Sequence, residues 1–242
     1  MARDAQARLD GFVTDLERAL GDNAVSIVLF GDALRGTIDA GRRTHDILLL
    51  LQDAAPSRLR SIGPTIARWV KSGEPPPLIF TQRGWRASSD VFPIEMEDMR
   101  EAHRVLRGAD PFDGITTTTA DLRRELEREI RGKLLQLRSE YAAAEADGKA
   151  LGELLAASVG TFFVLFRAVL RAGGTSPPQE PGALARATGD AAGLDAGAFD
   201  WAVQRVTGGK PRALQPYDEV GARYVEAIER LAEFVDGMGR GV

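Results

Sequence analysis

Strand-like sequence is confined to the first half of this chain, and this asymmetry constrains the fold more than any other feature. Nearly continuous apolar runs occupy residues 25–30 and 46–51, and a shorter run follows at residues 78–80. Continuous apolar runs of this length are typical of short strands that are buried on both faces. After Gly114 no strand pattern occurs, so we predict an α+β fold in which a small mixed sheet with flanking helices is followed by an all-α helical bundle.

Amphipathic segments predict helices both beside the sheet and after it. In the first half, residues 5–20 and 57–71 have apolar side chains that recur every three or four positions, so these two helices are expected to cover the sheet. In the second half, the predicted helices cover residues 121–141, 149–171, 198–206 and 217–237, with a short one near Ala183.

Residues 91–97 predict one further strand, because polar and apolar side chains alternate along them. The alternation places Glu95 and Glu97 on one face and the apolar side chains between them on the other. The change of pattern at residues 108–118 then predicts a domain boundary. We assign residues 1–114 to a domain of sheet and helices, and residues 115–242 to a helical bundle domain.

Composition excludes several kinds of site. The chain has no cysteine, which rules out disulfides, thiolate zinc sites and a cysteine nucleophile. Its two histidines, His45 and His103, are too few for a three-histidine metal site within one chain. Any metal chemistry must therefore use carboxylates, which suit Mg²⁺ or Mn²⁺.

Charge and hydropathy argue against nucleic-acid and membrane partners. The formal net charge of -4 gives no overall attraction for nucleic acid or for anionic lipid. The most apolar stretch, residues 154–166, is shorter than a membrane-spanning helix and is closed by Arg167. Acidic residues interrupt the N-terminal segment, so no signal peptide is predicted and we expect a cytoplasmic protein.

A glycine turn and a strand-opening carboxylate form the one constellation that suggests chemistry. Residues 29–36 read Leu-Phe-Gly-Asp-Ala-Leu-Arg-Gly, which predicts a strand end, a tight turn and a short helix. Glycine at such a turn lets backbone N–H groups approach a phosphate closely, and a helix N-terminus favours an anion. Asp46 opens the next strand, where its carboxylate is placed to hold a divalent ion beside that phosphate.

Residues 24–97 resemble the nucleotidyltransferase superfamily, which includes DNA polymerase beta and kanamycin nucleotidyltransferase. The family pattern is Gly-Ser after the first strand, a short helix that often carries Ala-Arg-Gly, and Asp-x-Asp opening the next strand. A third carboxylate comes from a later strand. Gly31, Arg35 and Gly36 match the first motif. Asp46 matches the first acid of the Asp-x-Asp pair.

The resemblance implies roles for these residues. Asp46 and Glu95 are implied to be the catalytic residues and the ligands of Mg²⁺, with Glu97 as the alternative to Glu95. The residues implied to bind the phosphates of an NTP are Gly31, Asp32, Arg35 and Gly36. The helical half fits the arrangement in which such a domain is followed by a helical bundle.

Two departures from the family pattern weaken the implied site. Asp32 replaces the serine of the glycine turn, and a carboxylate there repels a triphosphate unless a cation bridges them. Leu48 replaces the second acid of the pair, and leucine cannot ligate a metal. Losing one ligand from a two-metal clamp removes charge stabilisation that supplies several kcal/mol of catalysis.

These departures leave two functional hypotheses open. In the first, a catalytically weak or inactive protein of this fold acts as a nucleotide-binding or interaction module, and its helical half is the surface for a partner or a homodimer. In the second, an active enzyme uses Mg²⁺ to move an NMP from an NTP to a hydroxyl of a small molecule or protein. We favour the first because Asp32 and Leu48 both depart from the pattern.

Several of the same residues also have structural interpretations. Asp46 can simply begin a strand, and Asp32 is a preferred N-cap for the short helix that follows it. Arg35 can pair with Asp32 or Asp46 instead of binding a phosphate. His45 is expected in a loop and His103 at the surface near the domain boundary.

Overall fold

The structure, a computed structural model, describes residues 2–35 and 45–238. Within these ranges the chain forms two compact units. Unit 1 comprises residues 2–35, 45–90 and 99–116, and unit 2 comprises residues 91–98 and 117–238. The predicted domains have a single boundary at residue 114, and this division stays a prediction. The two units differ from it because residues 91–98 belong to unit 2, together with the helices that follow.

Unit 1 is built on a four-stranded mixed sheet. Strand β1 (Ala24–Phe30) is antiparallel to β2 (Asp46–Leu51) on one side and to β4 (His103–Gly108) on the other. Strand β3 (Leu78–Thr81) extends the sheet beyond β2 and runs parallel to it. The order β3-β2-β1-β4 confirms the predicted small mixed sheet, and the three strands predicted from apolar runs match it closely.

Two helices pack on one face of this sheet, as predicted. They are α1 (Ala2–Leu20) and α3 (Pro56–Lys71), and the four-residue helix α2 (Asp32–Arg35) follows β1. Phe12 of α1 stacks on Trp69 of α3 with ring centroids 4.2 Å apart. The core of this layer consists of Leu9, Phe12, Leu16, Leu20, Ile27, Leu29, Ile47, Leu49, Leu51, Ile62 and Trp69.

The segment after β3 packs through an aromatic cluster. Helix α4 (Gln82–Arg86) places Trp85 between Phe80 and Phe112, with ring centroids 5.3 and 5.6 Å away. The indole N–H of Trp85 donates to the carbonyl of Pro111 at 2.8 Å. Trp85 is buried, so it fills the core of unit 1.

The strand predicted over residues 91–97 is wrong, because the structure has helix α5 (Pro93–Glu101) there. Proline is well suited to the first position of a helix, and the helix buries Ile94 in the core of unit 2. The fourth strand is instead β4, which the sequence does not reveal. Its residues are only partly buried and include charged side chains, so the apolar signal of a buried strand is missing.

Unit 2 confirms the helical bundle predicted for the second half of the chain. A continuous apolar core joins its helices, and α7 contributes Leu155, Val159 and Phe166, all completely buried. Arg167 of α7 is buried as well and forms two hydrogen bonds to Asp98 of α5. The helices of the bundle are α6 (Thr119–Ala144), α7 (Gly148–Ala172), α8 (Pro181–Ala192), α9 (Asp200–Val206) and α10 (Glu219–Met238).

Among the described residues, one helix, Gly148–Ala172, has the length and apolar composition of a membrane span. Over half of its most apolar window, 56%, is buried inside the protein. That burial is typical of the core helix of a soluble protein. The helix therefore serves as the centre of the unit 2 core.

Candidate functional site

Asp46 and Gly31 meet at one edge of the sheet. Asp46 begins β2 and pairs with Phe30, the last residue of β1, so Gly31 directly follows the paired position. Gly31 has a φ of +82°, and a Cβ built on it lies 3.2 Å from Oδ2 of Asp46. A side chain at residue 31 would be strained and would crowd the carboxylate. The turn therefore needs glycine, and it brings the backbone close to Asp46.

Backbone hydrogen bonds close the Gly31 turn. The N–H of Gly31 donates to the carbonyl of Ala102 at 2.9 Å, and its carbonyl accepts from the N–H of Leu34 at 3.0 Å. The sequence predicted that N–H groups of this turn approach a phosphate. The N–H of Gly31 itself is already satisfied within unit 1, so Gly31 shapes the turn here rather than offering that donor.

The carboxylate of Asp46 lies in a partly buried and negatively charged environment. Burial, together with the charges of Asp32 and Glu74 and against the opposing effect of His45, raises the pKa of Asp46 to about 6. A pKa raised in this way shows that the neighbouring charges do not compensate the ionised carboxylate. A cation that approached Asp46 would supply the missing compensation.

Glu74 is the acidic neighbour that the sequence did not reveal. It precedes β3, and its side chain is only 4% exposed. Its Oε2 accepts from the backbone N–H of His45 at 2.7 Å, and its Oε1 lies 3.0 Å from Nδ1 of His45 and 3.5 Å from Nη2 of Arg8. Parallel strands begin at the same sheet edge, so Glu74 and Asp46 come together once β2 and β3 are known to be parallel.

Asp32 and Arg35 lie on α2, and Arg35 lies close to two carboxylates of unit 1. Nη1 of Arg35 pairs with Oε2 of Glu101 at 3.1 Å, and its Nε lies 3.9 Å from Oδ1 of Asp32. The side chain of Arg35 is only 1% exposed, so its guanidinium is almost completely shielded from solvent. Phosphate binding by Asp32 or Arg35 stays a prediction, and Gly36 lies outside the described residues.

Glu95 belongs to unit 2 and lies on a helix instead of a strand. Burial raises its pKa, and the charges of Glu129 and Glu125 on α6 add to that effect. Its Oε2 is buried and accepts no hydrogen bond from the described residues. The alternative residue, Glu97, accepts a hydrogen bond from Oγ1 of Thr117. The pairing of Glu95 with Asp46 as catalytic and metal-binding residues stays a prediction.

The donor groups around Asp46 do not fit a two-metal site. Leu48 is completely buried and offers no donor atom. Both oxygens of Glu74 are occupied by His45 and Arg8. In the part of the chain that the structure describes, no group of three or more histidine, aspartate or glutamate side chains is arranged to hold a metal ion. One ion that brings further ligands with it, as a nucleotide-bound Mg²⁺ does, needs only one or two carboxylates.

A solved adenyltransferase has a similar structure. The chain superposes with a TM-score of 0.62 on the spectinomycin adenyltransferase AAD(9) from Enterococcus faecialis, a structure determined with ATP and spectinomycin. The match covers 96% of this chain and 99% of that chain at 11% sequence identity. The chain has the nucleotidyltransferase fold. No protein-family model and no curated protein sequence matches it.

The nucleotidyltransferase fold confirms what Gly31, Arg35 and Asp46 predicted about architecture, including the helical domain that follows the sheet. At this level of identity the likeness establishes the fold alone. Activity depends on the particular side chains at the site, since one fold supports many functions. The function of this nucleotidyltransferase-fold protein must therefore be argued from Asp46 and its neighbours.

Proposed function

We propose that this protein binds a nucleoside triphosphate and transfers nucleotides weakly or not at all, so that it acts as a nucleotide-binding or interaction module. One observation carries the proposal. Leu48, a completely buried leucine, occupies the place of the second metal-binding acid in the family pattern. The fold is retained while a group essential to two-metal catalysis is absent from β2.

Two features support nucleotide binding. The adenyltransferase of similar fold was solved with ATP, which makes an NTP the first ligand to consider for this chain. Asp46 also has a raised pKa that reflects uncompensated negative charge at the sheet edge. An NTP that carries Mg²⁺ would place a cation there, and its own phosphates would complete the coordination of the ion.

A single Mg²⁺ at Asp46 would support binding better than chemistry. Asp46 would be its main protein ligand, and Asp32 is the nearby carboxylate with a substantially exposed side chain, 46%. In two-metal phosphoryl chemistry, one ion serves the attacking oxygen and the other serves the leaving oxygen. With ligands for one ion only, the protein would bind the nucleotide without stabilising both the attacking and the leaving oxygen.

A second candidate function is an active nucleotidyltransferase that moves an NMP to a hydroxyl of a small molecule or protein. The observation that favours it is Glu95, whose buried Oε2 has no hydrogen-bond partner among the described residues. Burial raises the pKa of Glu95, and a cation bound beside this carboxylate would stabilise its ionised form. This function requires Glu95 to act together with Asp46.

Calorimetry and a transfer assay separate the two functions. Wild-type protein is titrated with ATP, CTP, GTP and UTP in the presence of Mg²⁺, and labelled NTPs are tested for transfer to water, protein and an aminoglycoside panel. We expect binding of at least one NTP, weakened at least tenfold in Asp46→Asn, without transfer. Asp10→Asn, which changes an exposed residue of α1, is the matched control.

Two outcomes would contradict the proposal. Absence of binding for all four nucleotides would exclude a nucleotide-binding module. Transfer that is lost in both Asp46→Asn and Glu95→Gln would establish the active enzyme instead.

A further inference from the structure

Glu74 is a buried charged residue whose purpose the nucleotide site does not explain. It lies in the connection between α3 and β3, where most glutamates are solvated, yet its side chain is 4% exposed. Burying a carboxylate is costly unless hydrogen bonds and opposite charges compensate it. The contacts of Glu74 therefore indicate what its burial achieves.

Those contacts join three segments of unit 1. Oε2 of Glu74 accepts from the backbone N–H of His45 at 2.7 Å, directly before β2. Oε1 lies 3.0 Å from Nδ1 of the same histidine, so the main chain and the ring of His45 are held by one carboxylate. Oε1 also lies 3.5 Å from Nη2 of Arg8, which ties α1 to the same point.

The neighbouring Trp69 fixes the segment that carries Glu74. The indole N–H of Trp69 donates to the carbonyl of Pro75 at 2.9 Å, and Trp69 is itself stacked on Phe12 in the core. The segment that carries Glu74 is thus anchored to the core of unit 1 through Trp69. The carboxylate of Glu74 in turn binds His45, the residue before Asp46. One peptide unit separates its hydrogen bond at His45 from Asp46.

We propose that Glu74 is a positioning residue that sets the orientation of the Asp46 carboxylate at the nucleotide site. This inference rests on the proposed function, because it assigns to Asp46 the contact with the cation of the nucleotide. Glu74 acts through His45: its two oxygens fix the backbone and ring of that residue, and the β1 ladder fixes Asp46 from the other side through Phe30. Glu74 does not itself touch the nucleotide.

The test compares Glu74→Ala and Glu74→Gln in the full-length protein. The glutamine keeps the size of the side chain and one oxygen that can accept from the N–H of His45, whereas alanine removes both contacts. Hydrogen exchange of the His45 amide and calorimetric affinity for ATP are measured, with Mg²⁺ and with EDTA. Asp218→Asn is the matched control, because Asp218 is a comparably buried carboxylate held by Arg212 and two backbone N–H groups in unit 2.

In Glu74→Ala, exchange of the His45 amide should accelerate at least tenfold, and affinity for ATP with Mg²⁺ should fall about tenfold. Affinity for ATP with EDTA should not change, which a merely structural role would not predict. Glu74→Gln should retain most of the amide protection. In an Asp46→Asn background, Glu74→Ala should cause no further loss of affinity, because the effect passes through Asp46.

An unchanged exchange rate in folded Glu74→Ala would overturn the inference, as would additive losses in the double variant. If Glu74→Ala does not fold, loss of His45 protection in Glu74→Gln without any loss of affinity for ATP with Mg²⁺ would also overturn it. If the wild type binds none of ATP, CTP, GTP and UTP, the proposed function fails and the placement of Asp46 as a nucleotide contact fails with it. Accelerated His45 exchange would then still confirm that Glu74 positions the start of β2.

Discussion

Val28 and Leu48 are paired across the β1–β2 ladder, and both side chains are completely buried. Leu48 shares a face of β2 with Asp46, two residues earlier. The position that holds the second acid in the family pattern is therefore part of a packed core in this protein. The departure at Leu48 is a structural replacement, because the leucine fills space that a solvated carboxylate would need to leave open.

Replacing Leu48 by aspartate should destabilise the protein by about 3–5 kcal/mol at pH 7, because it buries an unpaired charge. The measurement is urea unfolding of Leu48→Asp and of Leu48→Asn, because asparagine has the same shape as aspartate but no charge. The deficit of the aspartate variant relative to the asparagine variant should shrink at pH 4 as the carboxyl takes up a proton. Equal stability of the two variants at pH 7 would mean that residue 48 is open to solvent or to a cation.

Asp46 should make stability depend on pH. Its pKa is about 6 in the folded state against 3.8 for the unperturbed group, so the wild type is stabilised below pH 4 and loses that stability as the pH rises past 6. Asp46→Asn should therefore exceed the wild type by about 1–2 kcal/mol at pH 8, less than the full value of the shift because the side chain is partly solvated. The two should converge at pH 3.5.

Urea unfolding at pH 3.5 and pH 8 measures this difference, and Asp10→Asn, an exposed residue of α1, should show no comparable change. If the wild type instead became more stable than Asp46→Asn as the pH rises, that would contradict the partly buried and negatively charged environment described for Asp46.

The same raised pKa predicts how nucleotide binding responds to pH. A cation binds the ionised form of Asp46, whose fraction increases roughly tenfold between pH 5 and pH 7 for a pKa of about 6. Affinity for ATP with Mg²⁺ should therefore rise by up to about tenfold over this range in the wild type. Calorimetry on Asp46→Asn at the same pH values reports the response of the nucleotide itself, and parallel curves for the two proteins would exclude Asp46 as a ligand.

Gly31 should tolerate no side chain. Gly31→Ala places a Cβ in a left-handed conformation, at a cost of about 1–2 kcal/mol, and 3.2 Å from Oδ2 of Asp46. Gly174→Ala is the matched control, since Gly174 has a φ of +78° and no atom near the added Cβ. Gly31→Ala should be the less stable variant by at least about 1 kcal/mol in thermal unfolding. Equal losses would show that only the backbone, and not the contact with Asp46, requires glycine at residue 31.

Buried periodic elements could be predicted from the sequence, and partly exposed ones could not. Strand β2 was predicted over the residues it occupies because its apolar run is continuous and both its faces are covered. Strand β4 was missed because charged residues interrupt it. The prediction of a strand at residues 91–97 was wrong because such a short alternation of polar and apolar side chains also fits a helix that buries one side, as α5 does.

The candidate site shows the same limit. Gly31 directly follows β1 and Asp46 begins β2, and these two strands pair with each other. A sequence motif could therefore predict that the two residues lie close together. Glu74 could not be predicted as a neighbour of Asp46, because their proximity depends on the parallel pairing of β2 and β3. Glu95 was assigned to the site through a strand that does not exist, and its helix groups it with the carboxylates of α6.

The central proposal is that the protein binds a nucleotide and transfers it weakly or not at all, and one assay measures binding and transfer in the same sample. Labelled ATP is mixed with excess protein and Mg²⁺ or Mn²⁺, and retained nucleotide and transferred AMP are quantified together. We predict retention that depends on Asp46, with AMP transfer no higher than in the Asp46→Asn variant. Transfer of AMP by the wild type that Asp46→Asn abolishes would contradict the account.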